Sequence, residues 1–170
     1  IQPEGDRNFS GLAAKIADVV RALDVPVLLK EVGSGLAPQD IALGLEAGVR
    51  HFDLAGRGGT SWSRIEYHRR ADDSDDLGLV FQDRGLATVE ALRAARPMMD
   101  ARADCTLIAS GGVRNGIDMA KAMAMGASVS GIAAPFLEAA KISSEAVVQR
   151  IETFRREFRT AMFLLGCDKT

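Results

Sequence analysis

The 170 residues, 47% hydrophobic and 26% charged, are an ordinary globular composition with enough apolar material for one sizeable core. A formal net charge of -2 leaves no broad basic field, which argues against nucleic acid as a partner and means that any anionic ligand is held locally. No apolar run approaches the ~20 residues of a membrane span, and no signal peptide opens the chain.

The stretch from Phe9 to Leu23 has apolar residues at helical spacing, with Ser10 as the candidate cap. Val25-Pro26-Val27-Leu28-Leu29 is an apolar run of the kind buried on both faces, and Gly33 to Gly35 ends it as a loop. Pro38 to Ala47 returns to helical spacing and stops at Gly48, and Val49 to Leu54 is the next strand. From Gly56 to Asp76 the chain reads as a long polar loop: the pair Gly58-Gly59 before Thr60, then the acidic run Asp72-Asp73-Ser74-Asp75-Asp76. That run lacks the Gly and distant Glu of an EF-hand calcium loop, so a solvated, mobile loop is the expectation over a calcium site. Thr88–Met99 reads as a helix, Thr106–Ala109 as a strand, Ile117–Met125 as a helix ending at Gly126, and Val129–Ile132 as a strand. Ser144 to Leu165 closes the chain as a long helix with an apolar stripe from Val147 and Val148 through Phe154 and Phe158 to Leu165.

Four strands alternating with helices imply parallel pairing through right-handed crossovers. The last two strands each open into a turn of small residues, Ser110-Gly111-Gly112-Val113-Arg114 and Ile132-Ala133-Ala134-Pro135-Phe136. Two such turns bring free backbone N–H groups to one spot, which suits a phosphate, and the loops after the last two strands are where a TIM (β/α)8 barrel holds one. The expected fold is therefore α/β, about half of a TIM barrel, with the other four strands supplied from elsewhere. The opening Ile1-Gln2-Pro3-Glu4-Gly5-Asp6 reads as an internal start. Cys105 and Cys167 lie in neither a CxxC nor a His-flanked pattern, so they read as structural thiols in a reducing cytoplasm.

Four motifs in order, Lys30-Glu31-Val32-Gly33, Gly56-Arg57-Gly58-Gly59-Thr60, Gly111-Gly112-Val113-Arg114 and Ala133-Ala134-Pro135-Phe136-Leu137, resemble type 2 isopentenyl-diphosphate isomerase. The likeness extends to Gln2 through Phe9 and to Ala161 through Gly166. It implies that residues 1–170 are the C-terminal half, strands five to eight, of a single FMN-binding TIM-barrel domain. It further implies FMN as cofactor, NADPH as its reductant, Mg2+, and conversion of isopentenyl diphosphate to dimethylallyl diphosphate by a cytoplasmic enzyme, homo-oligomeric when intact.

By the same resemblance Lys30 faces the flavin's N1/O2 edge, Thr60 contacts the flavin, and Gly111, Gly112, Val113 and Arg114 form the phosphate loop, joined by Ala133 and Ala134. Ala55 stands where the family usually has a flavin-contacting Ser, so only a backbone contact survives there. Ala37 replaces a Ser near the substrate diphosphate and Ala134 replaces a Gly. Arg84 and Ala87 replace a Trp and a Pro. The family's catalytic Gln and magnesium-binding Glu are expected upstream of Ile1, so no catalytic or metal residue is expected in this chain, and Glu4 and Asp6 read as loop residues. His51 reads as packed at a strand start and His68 as part of the polar loop. Other readings are a hydroxy-acid oxidase or glutamate synthase-like FMN barrel, which in the oxidase case needs a His–Arg pair, and a non-catalytic phosphate-binding half-barrel.

Overall fold

The computed structural model describes residues 5, 7–70, 75–100 and 102–169. The expected features at Gln2 to Glu4, Asp6 and Asp72 to Ser74 lie outside the described residues.

A four-stranded parallel sheet in the order β1 (Leu28–Lys30), β2 (His51–Asp53), β3 (Thr106–Ala109), β4 (Val129–Ser130) carries the fold. The register aligns Leu29 with Phe52 and Leu107, and Lys30 with Asp53 and Ile108. Alternation along a strand therefore sends these two sets to opposite faces. The first set meets the core: Phe52, Leu54 and Leu107 are fully buried with Ile41 of α2 (Pro38–Glu46) and Ala91, Leu92 and Ala95 of α5 (Thr88–Met99). The second set lines the opposite face, which is partly open, with Leu28 43% and Val129 47% exposed. One covered face, one open face and two edge strands in an all-parallel sheet make half of an α/β barrel.

Helix α5 and strand β3 have the expected bounds, 88–99 and 106–109. Other elements differ from the sequence reading. Helix α1 (Leu12–Ala22) is capped not by Ser10 but by Gly11 in the left-handed region. It buries no residue fully; Ile16 and Val20 alone of its stripe pack against the core. β1 begins at Leu28 because its ladder partner begins at His51, leaving Val25 to Val27 outside the ladder. β4 stops at Ser130. The segment read as one polar loop holds α3 (Trp62–Arg69), and α4 (Leu77–Val80) follows it directly; His68 on α3 packs edge-on against Tyr67, ring centroids 5.2 Å apart. Within the acidic run, Asp75 accepts from Arg70 at 2.5 Å and from the Leu77 amide at 2.8 Å, and both bonds hold its carboxyl below the usual range.

After β3 comes α6 (Gly116–Ala124), its N-terminus capped by Asn115, whose side chain accepts from the Asp118 amide at 2.8 Å. A 3-10 turn (Ala134–Phe136) and α7 (Leu137–Ile142) lead to α8 (Ser144–Leu164), which packs on α6 and α7. Only Phe154 of the α8 stripe is fully buried; Val148, Ile151 and Leu165 are exposed. Among the described residues no helix is long and apolar enough to cross a membrane.

Candidate functional site

At the carboxyl ends of the four strands lies a cleft of about 430 Å³, within the range of small-molecule sites. Every strand end contributes to it: Lys30 from β1, Ala55 and Thr60 after β2, Gly111 through Arg114 after β3, and Ala133 and Ala134 after β4. All nine residues expected from the sequence thus share one cleft. The loops after β3 and β4 lie together because their strands are adjacent and parallel.

Its wall is backbone because two glycine loops press against each other. A Cβ on Gly111 (φ +96°) would stand 2.0 Å from the Gly56 carbonyl oxygen, and one on Gly112 (φ +80°) 2.7 Å from that of Gly58. Both dihedrals and both contacts exclude a side chain. The Thr88 hydroxyl fastens the turn by donating to the Gly111 carbonyl at 2.6 Å. The amides of Gly111, Gly112, Val113, Ala133 and Ala134 then have no protein acceptor among the described residues. Five unpartnered donors from two adjacent loops, next to the N-terminus of α6, are groups of the kind that can hold an anion.

Arg114 spans the two glycine loops: its guanidinium Nη2 donates to the Gly58 carbonyl at 3.0 Å, and its amide to Asp118 at 3.1 Å. One of five guanidinium donors is thus used within the protein, leaving the others for an anion at the cleft.

The cation at the other end of the cleft is not free. Lys30 Nζ lies 2.9 Å from Asp53 Oδ2, while Asp53 Oδ1 accepts from Ser110 Oγ at 2.6 Å and from the Ala55 amide at 3.2 Å. Asp53 is the buried charged residue of the described core, 8% exposed. Sequence reasoning missed it, since it lies within the run Val49 to Leu54 and was absorbed into the strand; a carboxylate between the apolar Phe52 and Leu54 was the available signal. Glu31 was named only as part of a motif. Its Oε2 accepts from the amides of Gly33 at 2.6 Å and Gly35 at 3.1 Å and from that of Ser34, and so shapes the loop after β1.

Ala37 and Arg84 do not reach this cleft. They border a larger adjoining hollow of about 1020 Å³ with Arg57 and Arg64, which shares Val32, Gly33, Gly59, Thr60 and Trp62 with the first. His51 and His68 line neither. Far from the cleft, burial and the neighbouring Asp104 push the Cys105 thiol up.

The description "FMN-dependent dehydrogenase" matches residues 7–170. Among curated proteins the chain is similar to isopentenyl-diphosphate delta-isomerase of Paracoccus zeaxanthinifaciens, 64% identical over 168 residues, covering 98% of the chain and 48% of that protein. The protein of the same name from Hydrogenovibrio crunogenus is 56% identical over 170 residues, covering 99% and 49%, and that from Pyrococcus abyssi 46% identical over 169 residues, covering 98% and 44%. The chain spans about half the length of the curated relatives it matches. Among solved structures it resembles a mandelate oxidase variant, with TM-score 0.65 and 25% identity over 91% of this chain and 40% of that one. A flavocytochrome b2 variant gives TM-score 0.67 and 24% identity, covering 92% and 35%, and speaks for the fold. The parallel half-barrel and the match over residues 7–170 agree: the chain belongs to the FMN-dependent dehydrogenase family.

Proposed function

We propose that the chain is the C-terminal half of an FMN-dependent isomerase that converts isopentenyl diphosphate to dimethylallyl diphosphate. The observation that carries the reading is the 64% identity, over nearly the whole chain, to a protein of that name. The cleft fits FMN on its own terms. A phosphate suits five unpartnered amides flanked by the Arg114 guanidinium, and the glycine pairs, where a Cβ would collide with backbone, let a flat ring approach the main chain.

When bound and reduced, FMN supplies an electron-rich ring beside the alkene, for proton addition and removal without net redox change. Around it Lys30 provides a fixed cation for the N1/O2 edge, and Ala55 and Thr60 offer short groups that do not obstruct the ring. Gly111 to Arg114 with Ala133 and Ala134 hold the phosphate. NADPH as reductant, Mg2+ at a carboxylate outside this chain, a cytoplasmic location and a homo-oligomeric state belong to the same reading of the full-length protein. Oxidation of a 2-hydroxy acid is less well supported, because no histidine lines the cleft to act as its base.

The test is to purify the full-length protein, record its visible spectrum and incubate it with isopentenyl diphosphate, NADPH and Mg2+ under anaerobic conditions. Bound flavin and accumulation of dimethylallyl diphosphate are expected. A colourless protein that turns over nothing, or a yellow one that oxidises 2-hydroxy acids and leaves isopentenyl diphosphate untouched, would overturn the proposal.

A further inference from the structure

A buried carboxylate is costly unless its oxygens are occupied by donors. Asp53 has three, each from a different part of the cleft: Lys30 Nζ from β1, the Ala55 amide from its own loop, and the Ser110 hydroxyl from the end of β3. The strand register requires this meeting, since Lys30 and Asp53 are paired neighbours and Ser110 follows the last residue of β3. A lysine whose side chain is 48% exposed would otherwise sample many rotamers. A carboxylate that is itself held by two further bonds reduces these to one position of the ammonium. The Ala55 bond matters as well: Ala55 alone among the described non-glycine residues has a positive φ, +40°, and its amide is tied down by Asp53.

We propose that Asp53 is a positioning residue. It fixes the Lys30 ammonium in the cleft and, through Ser110, locks that cation to the loop carrying the Gly111 and Gly112 amides. The proposal rests on the reading of the cleft as an FMN site. Under it the two positive features of the cleft, the lysine and the amide cradle, are parts of one rigid unit rather than independent contacts.

The experiment is a double-mutant cycle in the full-length protein with Asp53→Ala, Lys30→Met and the pair, reading the FMN dissociation constant and the midpoint potential of the bound flavin. Asp53→Ala should weaken FMN about tenfold, the size of one charge-assisted hydrogen bond, and make the potential more negative, because the ammonium no longer stays beside the ring. In the Lys30→Met background the same change should leave the potential unmoved and cost FMN affinity clearly less, since Asp53 then has no cation to place and only its Ser110 and Ala55 bonds are lost. An Asp53→Ala effect of equal size in both backgrounds, or none in either, overturns the proposal; a purely structural role would give the first. Should Asp53→Ala not fold, the isosteric Asp53→Asn is read in the same way. Lys30 acetylation, followed by mass spectrometry in flavin-free protein, separates the two claims. A rate about tenfold faster in Asp53→Asn supports the tether even if FMN does not bind, and equal rates in both proteins refute it.

Discussion

Gly111→Ala offers the sharpest physical test of the cleft wall. At φ +96° an alanine costs about 1–2 kcal/mol in backbone strain alone. The added Cβ would also lie 2.0 Å from the Gly56 oxygen and 2.9 Å from both its carbonyl carbon and its nitrogen. These are backbone atoms that no rotamer change can move, so the β2 and β3 loops must separate, at an overpacking cost of about 1–3 kcal/mol. The total, about 2–5 kcal/mol, is a large part of the ~5–15 kcal/mol by which a domain is stable. Gly11→Ala is the control: its φ is +69°, but nothing lies within 4 Å of the new Cβ, so only the strain remains. Urea unfolding of the full-length protein and both variants measures the difference, and FMN titration reports the loops. Gly111→Ala should lose at least tenfold in FMN affinity while Gly11→Ala keeps it. Equal stability losses with unchanged FMN affinity would refute the packed-loop account.

Arg114→Ala should weaken FMN binding by about 1.5–3 kcal/mol in a fluorescence titration, the range for a charge-assisted hydrogen bond. Phe52→Ala, at a fully buried position between sheet and helices, should cost about 3–5 kcal/mol in chemical denaturation. Iodoacetamide should alkylate native Cys105 more slowly than the unfolded chain at pH 8. Its raised pKa lowers the thiolate fraction there, and the gap should narrow as the pH climbs through that pKa. The 170-residue chain alone, supplied with FMN, NADPH and Mg2+, should not turn over isopentenyl diphosphate, because its open inner sheet face leaves the site wet; co-expression with the N-terminal half should restore turnover.

Legibility followed the strength of each local signal. Thr88–Met99 and Thr106–Ala109 stand out because a strongly amphipathic helix and a short apolar run each have turn residues on both sides. Helix α3 was invisible because Trp62–Arg69 has almost no apolar stripe; it is held by contact with α4 and by the Ser61 cap. The nine cleft residues were found through glycine spacing and family resemblance, features that belong to loops and survive without knowledge of packing. Asp53 escaped because its role depends on strand register, which brings residues 30, 53 and 110 together from three separate stretches of chain. The unfinished burial on α1 and α8 was likewise unreadable, since an apolar stripe predicts a covered face but not what covers it.

The central claim, that the two loops after β3 and β4 cradle the phosphate of FMN, is tested most directly by a crystal structure of the full-length protein with FMN. The phosphate is expected within hydrogen-bonding distance of the Gly112, Val113, Ala133 and Ala134 amides and of the Arg114 guanidinium, with Lys30 against the ring. A phosphate bound away from these loops, or a ring lying outside the cleft between Lys30 and Thr60, would contradict it.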